Sequence, residues 1–147
     1  MAPSRMVIFA AGGERFGVPL HAVREVVLPQ PPFARVPRAG AAVRGAMNLR
    51  GRVVAVVELA PLLGLARDAL GPAQGHVVVL DRGRRGLGLL VASVLGVADA
   101  PPLDPTGSAG PVGVARGVAE VGGRAVTVLD TELLEARAAA QFGEASP

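Results

Sequence analysis

An internal repeat is the feature of this sequence that most restricts its fold. In the 147-residue chain, a shift of 71 positions places the glycines and valines that follow Val7 on those that follow Val78. A shift of 72 places the segment starting at Arg44 on the one starting at Arg116, so that Glu58 meets Asp130. Two separated blocks at nearly one offset predict two similar halves, about 7–67 and 76–134, that pack together to bury a common core.

Each half consists of short β-rich runs separated by turn residues. These runs are residues 7–10, 16–20 and 52–59 in the first half and 77–80, 87–91 and 124–129 in the second. Gly12-Gly13 and residues 81–84 separate the first two runs of each half, which predicts two hairpins. Residues 53–57 are apolar at every position, and we therefore expect both faces of this strand to be covered. The pattern predicts an all-β protein, either two small barrels or a duplicated sandwich.

Loops and one helix complete the expected organisation. Residues 28–40 and 99–113 are rich in proline and glycine and should cross the surface. A single helical turn is expected after Leu59. Residues 131–142 predict a C-terminal helix with Asp130 as its N-cap, and residues 143–147 should form a flexible tail. The whole of 1–142 is expected to be one domain.

Composition excludes several classes of protein. Half of the residues are hydrophobic and only 18% are charged, which is too apolar for a disordered chain. There is no cysteine, so thiolate metal sites and disulfides are excluded. No apolar stretch reaches the roughly 18 residues of a membrane span. The N-terminus has no sustained apolar region, so no secretory signal is expected. We expect a cytoplasmic protein without direct membrane insertion.

The excess of arginine over acids keeps one alternative open, a small basic β-barrel that binds nucleic acid. The formal net charge is +3. However, the chain has four Phe and neither Trp nor Tyr, so platforms for base stacking are scarce. Nucleic acid is therefore not the expected partner.

Groups that could perform catalysis are few. His21 and His76 are the only histidines, and neither has a second ligand at metal-binding spacing. Ser93 lies in an apolar run without a nucleophile motif. The repeated carboxylates of Glu58 and Asp130 favour a structural role, such as capping the following helical turn, over a catalytic pair. The sequence predicts no enzyme, no metal and no cofactor.

The most informative segment is the bend at residues 44–52. Gly51 is placed where a turn needs a positive φ, and Gly45 where curvature or another chain's approach excludes a Cβ. Asn48, Arg50 and Arg52 gather polar groups around this bend. It is either a solvated turn that keeps the protein soluble or a contact surface.

The ordered set of motifs resembles the CheW-type chemotaxis coupling proteins. In the first half these are Phe16-Gly17-Val18-Pro19, Val23-Arg24-Glu25-Val26 and Asn48-Leu49-Arg50-Gly51, followed by an apolar strand ending in Glu58-Leu59. Residues 86–97 and 126–134 continue the match. Two positions depart from the family pattern: Phe16 replaces a frequent Tyr, and Ala60 replaces a frequent Arg. The second departure would remove a charge from a contact surface.

This resemblance implies a fold and a function. The fold is two small five-stranded barrels, packed together, between which strands can be exchanged. The function is that of a non-catalytic adaptor that binds both the cytoplasmic tip of methyl-accepting chemoreceptors and the regulatory domain of a CheA-type histidine kinase, at receptor arrays beneath the inner membrane. A divergent paralogue that binds only one of these partners is the nearest alternative.

The resemblance and the bend together give the expected contact residues. Val23, Glu25, Gly45 and Arg50 match the family's receptor or kinase contact surface. The bend adds Asn48 and Arg52. Both signs of charge are present in this set, which suits the orientation of a protein partner.

Overall fold

Ten strands and two short α-helices form the part of the chain that the computed structural model describes, which is residues 5–81, 86–100 and 113–142. The strands are β1 (Arg5–Ala11), β2 (Glu14–Pro19), β3 (Val23–Val27), β4 (Val43–Leu49), β5 (Arg52–Glu58), β6 (His76–Leu80), β7 (Gly86–Val91), β8 (Ser93–Asp99), β9 (Ala115–Val121) and β10 (Arg124–Leu129). The helices are α1 (Leu59–Leu62) and α2 (Thr131–Ala139), and short 3₁₀ turns span Leu20–Ala22 and Ala140–Phe142.

The strands form two five-stranded sheets with the same internal order. Sheet 1 has the order β8-β1-β2-β10-β9, and sheet 2 has the order β3-β6-β7-β5-β4. The repeat relates β1–β5 to β6–β10 in turn, and replacing each strand by its repeat partner converts one order into the other. Each sheet therefore contains a hairpin from one half of the sequence and three strands from the other half.

The predicted fold class is confirmed: the protein is mostly β, with two five-stranded modules and a C-terminal helix. Both predicted hairpins form, as antiparallel pairs of β1 with β2 and of β6 with β7. The C-terminal helix is shorter than predicted, because α2 ends at Ala139 and a 3₁₀ turn follows. The predicted tail at 143–147, most of the turn at 81–84 and most of the loop at 99–113 lie outside the described residues.

The described residues bury their apolar side chains in three clusters. One lies on a face of sheet 1 and includes Met6 and Ile8, and one lies on a face of sheet 2 and includes Val77 and Val79. The third, the shared core, joins both sheets and contains Val7, Phe9, Val78 and Leu80. Successive residues of a strand point to opposite faces. A strand that is apolar at every position is therefore buried on both faces. One face packs inside its own five-stranded module, and the other face packs in the shared core.

Two residues differ from the expected exposure. Val53 is 70% exposed, whereas both faces of its strand were expected to be covered. The first described pair of the parallel ladder between β5 and β7 joins Val54 to Gly86, so the described part of β7 does not reach Val53. Ala60 is 2% exposed. Ala60 itself therefore lies in the shared core and not on an exposed contact surface.

The two helices follow equivalent strands but begin differently. Asp130 caps α2 as predicted, because its Oδ1 accepts hydrogen bonds from the backbone N–H groups of Glu132 at 3.0 Å and Leu133 at 3.1 Å. Glu58 makes no such bond to α1, so a capping role there is wrong. Its Oε1 instead accepts a hydrogen bond from Arg67 Nε at 2.9 Å. Among the described residues, no helix is long and apolar enough to cross a membrane.

Candidate partner-binding surface

A two-residue turn joins β4 to β5 at the centre of the bend singled out in the sequence. Leu49 pairs with Arg52, and the two residues between them, Arg50 and Gly51, have φ values of 53° and 85°. Positive φ at both central positions is the type I′ geometry, whose twist matches that of a hairpin. Asn48 supports the turn, because its Oδ1 accepts a hydrogen bond from the Gly51 N–H at 2.8 Å. The predicted positive φ at Gly51 is confirmed.

Arg50 is the unusual residue of this turn. The turn between β1 and β2 has Gly12 and Gly13 at its two positive-φ positions, and the turn between β9 and β10 has Gly122 and Gly123. Gly122 is the repeat partner of Arg50. A non-glycine residue in the left-handed region costs about 1 kcal/mol. The backbone at the tip of this hairpin is therefore strained, and the residue in the strained conformation is an arginine.

The arginine side chain reaches the edge of the same module. Arg50 Nη2 forms an ion pair and hydrogen bond with Glu25 Oε2 of β3, and the two side chains are 66% and 27% exposed. The hydrogen bond from Arg50 lowers the pKa of the Glu25 carboxyl below its ordinary value, although burial opposes this, and the charges of Arg50, Arg24 and Arg52 lower it further. The same hydrogen bond raises the pKa of Arg50. The carboxylate is therefore ionised at neutral pH and held among cations.

This ion pair joins the two edges of sheet 2. β3 and β4 are its outermost strands, on opposite sides of the sheet order. Contact between Glu25 of β3 and the turn that follows β4 requires the sheet to curl until its edges approach each other. This curl is what the barrel form of the module predicts. We call Arg24, Glu25, Arg50 and Arg52 the charged seam, because all three arginines act by their charge on the Glu25 carboxyl.

Gly45 is buried, and the close approach that excludes a Cβ here comes from the chain itself. It has φ 140° and lies at an irregularity in the pairing of β4 with β5. A Cβ on Gly45 would come within 2.8 Å of both the Ala34 carbonyl oxygen and Phe33 Cβ. The chain's own loop, residues 28–40, therefore makes the close approach that excludes a side chain here.

The 28–40 loop is attached to β4 by backbone hydrogen bonds. Ala34 and Ala46 exchange two such bonds, of 2.7 and 2.8 Å, and the guanidinium of Arg44 lies 5.3 Å from the centre of the Phe33 ring. A cation over an aromatic face is stabilising. The loop thus covers part of the β4 edge, while the tip of the hairpin stays exposed.

The structure brings together some of the six predicted contact residues. Glu25 and Arg50 touch, and Arg52 is close enough to act on the Glu25 carboxyl by its charge. Asn48 is exposed, with its side-chain oxygen bonded to the turn. Val23 is only half-buried and packs against the shared core.

The charged seam offers recognition by charge and hydrogen bonding rather than covalent chemistry. Among residues 5–81, 86–100 and 113–142, no group of three or more His, Asp or Glu side chains could hold a metal ion. His21 is exposed in the middle of the 3₁₀ turn Leu20–Ala22, and His76 is the first residue of β6 in the other half of the sequence.

Comparison with known proteins agrees with this architecture. A family model described as the CheW-like domain matches residues 5–138. The chain belongs to the CheW-like family. The chemotaxis protein CheW of Rhizobium meliloti (strain 1021) is 31% identical to this CheW-like chain over 133 residues, which cover 86% of the chain and 84% of that protein. A probable chemotaxis protein CheW of Rhizobium etli is 33% identical over 90 residues, covering 60% of the chain and 56% of that protein.

A solved structure shares the fold of this CheW-like chain. The crystal structure of scaffolding protein TtCheW from Thermoanaerobacter tengcongensis superimposes with a TM-score of 0.75 and covers 88% of this chain and 85% of that one. At 20% sequence identity, this likeness concerns the arrangement of the strands.

The sequence interpretation missed one member of the charged seam of this CheW-like chain. Arg24 is exposed and acts on the Glu25 carboxyl by its charge. The repeat carries a signal that could have found it, because Arg24 and Glu25 correspond to Leu95 and Gly96, which are uncharged. Charge that one copy of a repeat has and the other lacks is not needed by the shared scaffold.

Proposed function

We propose that this CheW-like chain is a non-catalytic adaptor of chemotaxis signalling that couples chemoreceptors to a CheA-type histidine kinase by binding both. It would act in the cytoplasm, at receptor arrays beneath the inner membrane. Family membership supports the role of a coupling protein, and the names of its relatives, a chemotaxis protein CheW and a scaffolding protein, agree with it. They give no support to the nucleic-acid alternative.

The exposed ion pair between Arg50 and Glu25 is the observation that carries this proposal within the structure. It holds an arginine in a strained turn position where the other module has glycine. Strain that the scaffold does not require is typical of functional positions. Of the six expected contact residues, three are proposed to contact the partner directly, namely Glu25, Arg50 and Arg52. Asn48 is proposed to stabilise the turn, and Gly45 to let the 28–40 loop pack against β4. Val23 lies next to the seam.

Separate binding assays test this proposal. The purified chain is immobilised and exposed in turn to a receptor cytoplasmic fragment and to the kinase regulatory domain. We expect both to be retained, and Arg50→Glu to reduce retention of at least one. Arg124→Glu is the matched control, because Arg124 is the exposed repeat partner of Arg52 on the other module.

Retention of one partner only would support the paralogue with a single partner and contradict coupling. Retention of neither partner by the folded wild-type chain would contradict the proposed function as a whole. Equal retention by the Arg50→Glu and Arg124→Glu variants would remove Arg50 from the contact surface.

A further inference from the structure

The two modules repeat their scaffold but not their charge. A shift of 71 superimposes β3 on β8 and places Arg24 on Leu95 and Glu25 on Gly96. A shift of 72 superimposes the β4–β5 turn on the β9–β10 turn and places Arg50 on Gly122. Of the four residues of the charged seam, only Arg52 has a charged counterpart, Arg124. The strand order is the same in both sheets. The fold therefore does not need the charges of the seam. Their presence is explained by something outside the module, such as a binding partner.

The seam carries more positive than negative charge. Three guanidinium groups surround the single carboxylate of Glu25, and only Arg50 pairs with it directly. Arg24 and Arg52 are exposed, and neither forms an ion pair with another of the described residues. Two cations with unused donors thus lie near the ion pair, and they can bind further carboxylates.

Two exposed valines lie on the strands of the seam but on the other face. Val53 directly follows Arg52 and is the most exposed of the large apolar residues described, and Val26 directly follows Glu25 and is also exposed. Because successive residues of a strand point to opposite faces, these valines face away from Arg52 and Glu25. Recognition at the seam therefore depends on charge and hydrogen bonding, and a protein segment that carries carboxylates matches its excess of positive charge.

We infer that the charged seam binds an acidic segment of a protein partner, whose carboxylates are bound by Arg24 and Arg52 near the Arg50–Glu25 pair. This inference rests on the proposed function and adds the chemistry of the partner. It assigns the acidic partner to sheet 2. The equivalent surface of sheet 1 lacks the three charges and would not bind the same segment.

Nuclear magnetic resonance with defined polymers tests the chemistry without a named partner. The full chain is titrated with polyglutamate, with polyglutamine of equal length and with polyuridylate of equal length. We expect polyglutamate to shift the backbone amide signals of Arg24, Arg50 and Arg52, and polyglutamine to leave them unchanged. The Arg24→Gln/Arg52→Gln double variant should bind polyglutamate about tenfold more weakly. Arg124→Gln, the matched control on sheet 1, should bind like the wild type.

Three results would overturn the inference. They are equal shifts with polyglutamine, tighter binding of polyuridylate than of polyglutamate, and unchanged binding by the double variant. The same double variant is also tested in the receptor and kinase assays. If the partners bind the wild type and the double variant equally well at low and high salt, the adaptor role is supported and the inference of an acidic segment is wrong. If polyglutamate binds at the seam but neither partner is retained, the inference that the seam binds acidic segments is supported and the adaptor role is wrong.

Discussion

Arg50 is a residue that the fold of its module does not require. Its backbone has the conformation that glycine adopts in the equivalent turn, and its side chain lies mostly in solvent. An exposed ion pair is screened by water and contributes little to stability. The stability of the ion pair therefore does not explain why an arginine is present here, and the proposed contact with a partner would explain it.

Replacing Arg50 by glycine should separate stability from binding. Arg50→Gly relieves strain of about 1 kcal/mol and removes an exposed ion pair. We expect the free energy of unfolding, measured by chemical denaturation, to stay level or rise while retention of the partner falls. The reciprocal change, Gly122→Arg, should lower the free energy of unfolding, because Gly96 offers no carboxylate to the new arginine. A large loss of stability in Arg50→Gly would show that the arginine is structural.

The ionisation of Glu25 gives a second test at this scale. Because Arg50 lowers the Glu25 pKa, the pair contributes its stabilisation above the ordinary glutamate value, about 4.3, and loses it as the pH falls through the lowered pKa. Carboxyl titration by nuclear magnetic resonance should give a lower midpoint in the wild type than in Arg50→Gly. Equal midpoints would mean that the ion pair does not form in solution. Partner binding should not change across neutral pH through this group.

Elements were easier to predict than the contacts between them. The hairpins, the C-terminal helix and the Asp130 cap follow from local patterns of valine, glycine and capping residues. Glu58 shows where such reasoning fails: it occupies the same place in the repeat as Asp130, but Arg67 of the following segment binds its carboxylate. No local pattern shows which distant residue will compete for a side chain.

Gly45 provides a test of how the 28–40 loop packs on β4. Gly45→Ala combines an unfavourable φ with a Cβ 2.8 Å from the Ala34 carbonyl oxygen. We expect it to lower the free energy of unfolding by more than Gly64→Ala, the control, since Gly64 also has a positive φ but has free space around it. The measurement is chemical denaturation of both variants. Equal losses would show that the loop does not press on Gly45.

At the scale of the whole molecule, the repeat predicts two similar modules, and the strand orders agree with it. Two facts could not be predicted in the same way. Glu25 and Arg50 are 25 positions apart and meet only because sheet 2 curls. Gly45 is covered by a loop whose path depends on two backbone hydrogen bonds of Ala34. Both depend on tertiary closure, which leaves no periodic signal in the sequence.

The two modules that the repeat relates differ in the chemistry of their equivalent surfaces. The charged seam lies on sheet 2, whereas the equivalent edge of sheet 1 presents Leu95 and Val97, which are exposed. A connector needs surfaces that distinguish its partners, and a difference in charge between related surfaces achieves this. This asymmetry is consistent with an adaptor built on a duplicated scaffold.

The most direct test of the account is reconstitution of kinase activity. Receptor-containing membranes and the CheA-type kinase are combined with the wild-type chain, with Arg50→Glu or with Arg124→Glu, after circular dichroism has shown that the variants fold. We predict that receptor-dependent autophosphorylation of the kinase requires the chain, that Arg124→Glu supports it and that Arg50→Glu does not. Full activity with Arg50→Glu, or without the chain, would contradict the account.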